Sequence, residues 1–233
     1  MDFPAAGQAL WDIYDSAGVR PEYLIPVLSY ESGLRPDLQN GQGTPYYGIG
    51  QNGTADIAAY AGTDPQTYLT WSASQQLSTV VKGYFQRIVN KYGSLQSGTR
   101  VYQAEYLPAT LSTATSLSDV LTSAPSQYYE DNKSFDLDGK GYITLGDLSQ
   151  VVARQAAKGY VQDAIAQTYA LRPGETPRDP ALGTDFGAGK NSIVPVLIAA
   201  GLATAAVAVA NRIVPGSVPI PAFIPVQLRR VLA

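Results

Sequence analysis

The chain has 233 residues, 45% hydrophobic and 15% charged, with a net charge of −3 and neither histidine nor cysteine. That length buries one good core with room for an appendage. The missing residue types exclude Ser-His-Asp and Cys-His nucleophiles, His- or Cys-ligated zinc and any disulfide framework; with no Lys/Arg cluster, a nucleic-acid partner is not expected.

Read in chain order, the first third is helical. Leu10, Trp11 and Tyr14 recur at helical spacing, and Gly18 ends that element. Pro21 opens a second helix where a missing N–H costs nothing, and Leu24, Ile25, Val27 and Leu28 form its apolar face. This helix runs into Tyr30 and Glu31 and stops at Gly33. Residues 38–53 hold too many glycines for a helix and predict a loop or small hairpin. Helix resumes over 54–60, and Asp64-Pro65 is a cap followed by proline at the first helical position. Leu77, Val81, Tyr84, Phe85 and Ile88 predict an amphipathic helix ending near Tyr92-Gly93, and a short helix covers 100–106 up to Pro108. The Ser/Thr-rich stretch 111–126 reads as loop. A last long helix is expected from Thr144 to about Ala170, with Leu148, Val151, Val152, Ala156, Tyr160 and Ile165 inward. The body, residues 1–171, is therefore mainly α.

Composition shifts at Leu171. Residues 172–191 have linker character, and 192–213 enclose an uncharged, alanine-rich stretch of about 18 residues, Ile193–Ala210, near the lower limit for crossing a bilayer. Gly201 and Ala205 form a small-xxx-small pair suited to helix packing in lipid. The reading is a transmembrane helix that contacts lipid through 193–210; the alternative is a buried core helix. Residues 214–233 form a Pro-rich tail ending near Arg229-Arg230. The N-terminal Met1-Asp-Phe-Pro lacks a basic region followed by an apolar one, so no secretory signal is expected.

Without His or Cys, any enzymatic proton transfer falls to carboxylates, and glycosidic cleavage is the commonest reaction they run alone. Glu31 suits that role. A catalytic acid must keep its proton near neutral pH, and both apolar burial and the unsatisfied carbonyls of a helix end disfavour the carboxylate form. The glycine-rich segment that follows lets backbone approach a sugar without side-chain obstruction.

Glu31-Ser32-Gly33-Leu34 with Pro36, followed by Gly48-Ile49-Gly50-Gln51, resembles the soluble lytic transglycosylase family and the related goose-type lysozymes. A third family motif is reduced here to Ala104-Glu105-Tyr106-Leu107-Pro108-Ala109, keeping Tyr106 without the Asn or the Gly, as in a subset of phage-encoded cell-wall hydrolases. The resemblance covers about residues 5–170. It implies a lysozyme-like α+β fold with a small hairpin lobe. It implies Glu31 as sole catalytic acid/base acting on peptidoglycan glycan strands with no cofactor. By the same analogy Ser32 and Gln51 lie near substrate and Tyr106 is hydrogen-bonded to Glu31. Tyr46 and Tyr47 either stack on sugar or pack the loop onto the core. Asp37, the nearest second carboxylate in sequence, is not assigned a role, since the family works with one. The resemblance further implies a phage virion protein, membrane-associated and accompanied by other virion proteins, acting in the bacterial envelope during genome entry. Its alternatives are a hydrolytic lysozyme, an inactive structural virion protein on the same scaffold, and a calcium-dependent binding module.

Residues 136–147 match the twelve-residue EF-hand frame, with Asp136 and Asp138 at the first and third positions, Gly141 at the sixth and Asp147 at the twelfth. A structural calcium would use Asp136, Asp138, the Tyr142 carbonyl, Thr144 and Asp147. Lys140 stands where such loops supply an oxygen, and Asp147 reaches less far than Glu. The alternative is a relic loop in which the Lys140 ammonium partly replaces the ion.

Overall fold

The computed structural model describes residues 3–41 and 44–183. Helices α1 (Phe3–Ala17) and α2 (Pro21–Ser32) end where glycine permits a left-handed turn. Gly18, at φ 70°, returns its N–H to the Tyr14 carbonyl at 2.7 Å, and Gly33, at φ 64°, returns its N–H to Ser29 at 2.9 Å. The small hairpin follows: β1 (Tyr46–Tyr47) pairs antiparallel with β2 (Asn52–Gly53). Next come α3 (Thr54–Ala61) and α4 (Pro65–Leu69), the latter capped by the Asp64 carboxylate, which accepts the Gln66 and Thr67 N–H groups.

Helix α5 (Ala73–Gln76) starts from a Ser72–Gln75 capping box and passes through a π-helical turn, Leu77–Val81, into α6 (Lys82–Tyr92). Helix α7 (Gly98–Tyr106) stops at a 3₁₀ turn begun by Pro108. The stretch expected to be loop also contains β3 (Val120–Ser123). After α8 (Gln127–Asn132), β3 pairs antiparallel with β4 (Tyr142–Thr144), with a register irregularity between Val120 and Thr122.

The single helix expected over 144–170 is two, α9 (Leu145–Ala156) and α10 (Gly159–Ala170). The break serves burial. Helix α9 packs on α2 and α7, whereas α10 packs mainly on α1 and α2, which one straight rod could not do. Leu148, Val151, Val152 and Ile165 are inward as expected, while Tyr160, beside the break, is 46% exposed. One apolar cluster runs through α1, α2, α6, α7, α9 and α10. Trp11 anchors α1 to α10 by donating its indole N–H to the Thr168 carbonyl at 2.8 Å and packing edge-on against Tyr169.

The first part of the stretch read as linker, residues 172–183, is seated on this body. Thr99 donates both its N–H and its hydroxyl to the Ala181 carbonyl, and Gly98 donates to the Pro180 carbonyl at 3.0 Å. A Cβ at Gly98 would lie 2.2 Å from that carbonyl oxygen, so the close approach requires glycine. Beneath it, Arg20 and Glu22 form a buried ion pair at 2.6 Å. Glu22 also accepts the Arg178 N–H and the Tyr169 hydroxyl, while Arg20 reaches the Thr176 carbonyl. Among the described residues no helix is long and apolar enough to cross a membrane. The expected span at 192–213, the tail at 214–233 and the rest of the linker lie outside the described residues.

Candidate functional site

Glu31 lies in the last turn of α2 and is 6% exposed. Its neighbours are aromatic. The hydroxyls of Tyr30 and Tyr102 titrate well above the usual tyrosine range, first because burial disfavours phenolate and second because the negative charge of Glu31 repels it. Phe135 lies beneath both, with ring centroids 5.5 Å from Tyr30 and 5.7 Å from Tyr102, and Tyr106 completes the group 5.2 Å from Phe135. The acid thus stands at a helix end against an aromatic floor.

Ser32 joins the two sequence motifs. Its hydroxyl lies 2.7 Å from the Ile49 carbonyl oxygen and accepts the Arg35 N–H at 3.2 Å, so the glycine-rich loop is bolted to the helix that carries the acid. Gln76 holds the loop from the other side. Its Oε1 accepts the Ile49 N–H at 2.8 Å, and its Nε2 donates to the carbonyls of Pro36 and Tyr68. This explains Gly48: at φ 75°, a Cβ there would lie 2.3 Å from Gln76 Oε1 and 2.7 Å from the Tyr68 ring. Gln51, itself at φ 46°, donates to the Gly48 and Leu38 carbonyls. The Gln51 Oε1 and the Asn52 Nδ2 are buried with no hydrogen-bond partner among the described residues.

The remaining expected residues fall as follows. Tyr46 is buried in the hairpin, and Tyr47 is half-buried against Ile57, Tyr68 and Val80, so both pack the lobe. Tyr106 is 1% exposed, and its hydroxyl has no hydrogen-bond partner among the described residues; the expected bond to Glu31 is not formed. Helix α7 ends before Pro108, and Tyr106 sits instead in the aromatic cluster against Phe135 and Tyr128, its carbonyl accepting the Tyr128 hydroxyl. Asp37 is engaged at the surface by Arg35 at 2.9 Å.

Sequence reasoning missed Glu105. It lies on α7, is 4% exposed, and its charge bears on both Tyr102 and Tyr68. Two buried acids therefore share Tyr102 as a neighbour. The signal was available as an acidic residue inside an apolar helical face, Val101 to Tyr106. Gln76 and Asn52 had no such signal, because their roles arise only where distant segments meet.

The acidic loop is built differently from a calcium site. Lys140 Nζ lies 2.6 Å from Asp138, 2.9 Å from each Asp147 oxygen and 3.4 Å from Asp136. Burial opposes its charge, but Asp138 and Asp147 outweigh this and hold the ammonium above its usual value. Asp136 accepts the N–H groups of Lys140 and Gly141 and the Tyr129 hydroxyl. Burial would raise its carboxyl, yet these donors hold it well below the carboxylate range. Thr144 and Asp147 form a reciprocal capping box that starts α9. The Tyr142 side chain is exposed, and the Lys140 ammonium lies 5.3 Å from its ring. Calcium takes six to eight oxygens at about 2.3–2.6 Å. A lysine ammonium among the carboxylates does not fit that donor set, and among the described residues no acidic cluster able to hold a metal is found.

An open polar recess of about 480 Å³ lies elsewhere, lined by Tyr14, Arg20, Gln96 and Arg178, and does not include Glu31. Compared with known proteins, the chain matches no family model, no curated protein and no solved structure.

Proposed function

We propose that this chain is a peptidoglycan-cleaving lytic transglycosylase on a lysozyme-like scaffold, with Glu31 as its acid/base. The observation that carries this reading is a nearly buried carboxyl at a helix end, flanked by tyrosines and joined through Ser32 to a glycine-rich loop. Glu31 gives its proton to the glycosidic oxygen between N-acetylmuramic acid and N-acetylglucosamine as the bond to the anomeric carbon breaks. The resulting carboxylate then takes the proton of the muramic acid C6 hydroxyl, whose oxygen closes a 1,6-anhydro ring on that carbon. Water attacking instead gives lysozyme chemistry. The setting proposed is a phage virion, with lipid contact through 193–210, on the strength of the resemblance to phage-encoded hydrolases and of that apolar stretch.

The test is turnover of purified sacculi by the wild type and by Glu31→Gln, whose side chain keeps the shape and loses the proton. A positioned general acid is worth about 10²–10⁴-fold. The variant should lose at least 100-fold with an unchanged melting temperature, and released muropeptides should carry anhydro ends. Equal turnover by both proteins refutes the assignment. A second reading, an inactive scaffold in the virion, is favoured by the disengaged Tyr106 hydroxyl; a wild type silent on murein gels selects it.

A further inference from the structure

We propose that Lys140 is the resident cation of the 136–147 loop, closing it without metal, and that the loop becomes a divalent-cation site only when this ammonium is removed. Nζ lies within 2.6–3.4 Å of three carboxylates, two of them almost fully buried, and its three N–H groups suffice for three partners. The remaining capacity of those carboxylates is also used. Asp136 accepts from Tyr129 and two backbone N–H groups, and Asp147 from the Thr144 hydroxyl and N–H. An entering dication would have to displace these donors and share the space with a like charge.

Removing the ammonium inverts the balance. Three carboxylates would face one another without compensation, around a turn that already has glycine at φ 83° at Gly141. Serine at position 140 would return an oxygen to the fifth place of the frame, completing a set of the kind calcium takes. The turn also matters to the rest of the molecule. Phe135, which precedes it, supports Tyr30, Tyr102 and Tyr106, and α9, which follows it, packs on α2. A loop closed by its own side chain keeps that floor in place whether calcium is scarce or abundant.

Thermal unfolding of the full chain, with chelator and then with millimolar calcium, tests this. The wild type should melt within about 1 °C in both, since a ligand that does not bind the native state cannot stabilise it. Lys140→Met, which keeps the stem and loses the charge, should melt roughly 5 °C lower in chelator, because breaking a nearly buried ion pair strands its partners. Lys140→Ser should fall similarly in chelator and recover in calcium, and should give terbium luminescence sensitised by Tyr129 and Tyr142 that the wild type lacks. A wild-type melting temperature that climbs with calcium overturns the proposal even if neither variant folds. So does a Lys140→Met that melts like the wild type, or a Lys140→Ser that ignores calcium and terbium. None of these readouts depends on what Glu31 does.

Discussion

Replacing Glu22 by Gln should detach the segment after α10 from the body. The native carboxylate lies 2.6 Å from Arg20, with both side chains at most 5% exposed, and it also accepts from the Arg178 N–H and the Tyr169 hydroxyl. Glutamine keeps one acceptor oxygen and loses the charge, leaving the Arg20 guanidinium buried; the half-exposed Glu175, 3.5 Å away, compensates weakly. Stranding one member of a buried pair costs about 3–5 kcal/mol. For a domain of this size each kcal/mol moves the melting temperature by about 2–4 °C, so a fall of about 6–20 °C is expected. Circular dichroism during heating reads the fall. Limited trypsin digestion reads the detachment, with cleavage after Arg178 accelerated. Arg20→Met alone should cost a similar amount. The double variant Arg20→Met/Glu22→Gln should cost less than the sum by about 1–3 kcal/mol, since the groups interact directly. A Glu22→Gln protein melting within 3 °C of the wild type, or strictly additive losses, would refute the reasoning.

Ser32→Ala should cost about 1–3 kcal/mol, because the Ile49 carbonyl and the Arg35 N–H lose a buried partner; denaturant titration measures it, and an unchanged midpoint contradicts the bolt. On murein this variant should lose less activity than Glu31→Gln, with the loss mainly in KM as the loop loosens. Asp136 supplies the pH dependence. Its native value is depressed, so its contribution is present above the ordinary carboxylate value of about 4 and drains away as the pH falls from there toward the native value. Melting temperatures from pH 6 to pH 3 should therefore decline, and decline less steeply in Asp136→Asn; parallel curves would count against the donor set described for this residue.

The first two helices and their ends were legible in the chain because their signals are local. Proline at the first helical position, apolar residues at helical spacing and glycine at the left-handed cap act within a few residues of one another. The same holds for the Asp64 cap and for Lys140 in the acidic loop, where the whole frame spans twelve consecutive positions. Tertiary packing decided the rest. Apolar periodicity continues across the break at Lys158 and hides it, since it records that faces are buried and not which neighbour buries them. The polar appearance of residues 172–183 concealed hydrogen bonds to Glu22 and Thr99, side chains more than 70 positions away. Gln76 bracing Gly48, Tyr106 withdrawn from Glu31, and Glu31 brought to Tyr102 of another helix all depend on how separate helices and loops meet. Residue types named the acid; only the folded chain could fix its surroundings, because burial and charge proximity belong to positions in space and not to positions in sequence.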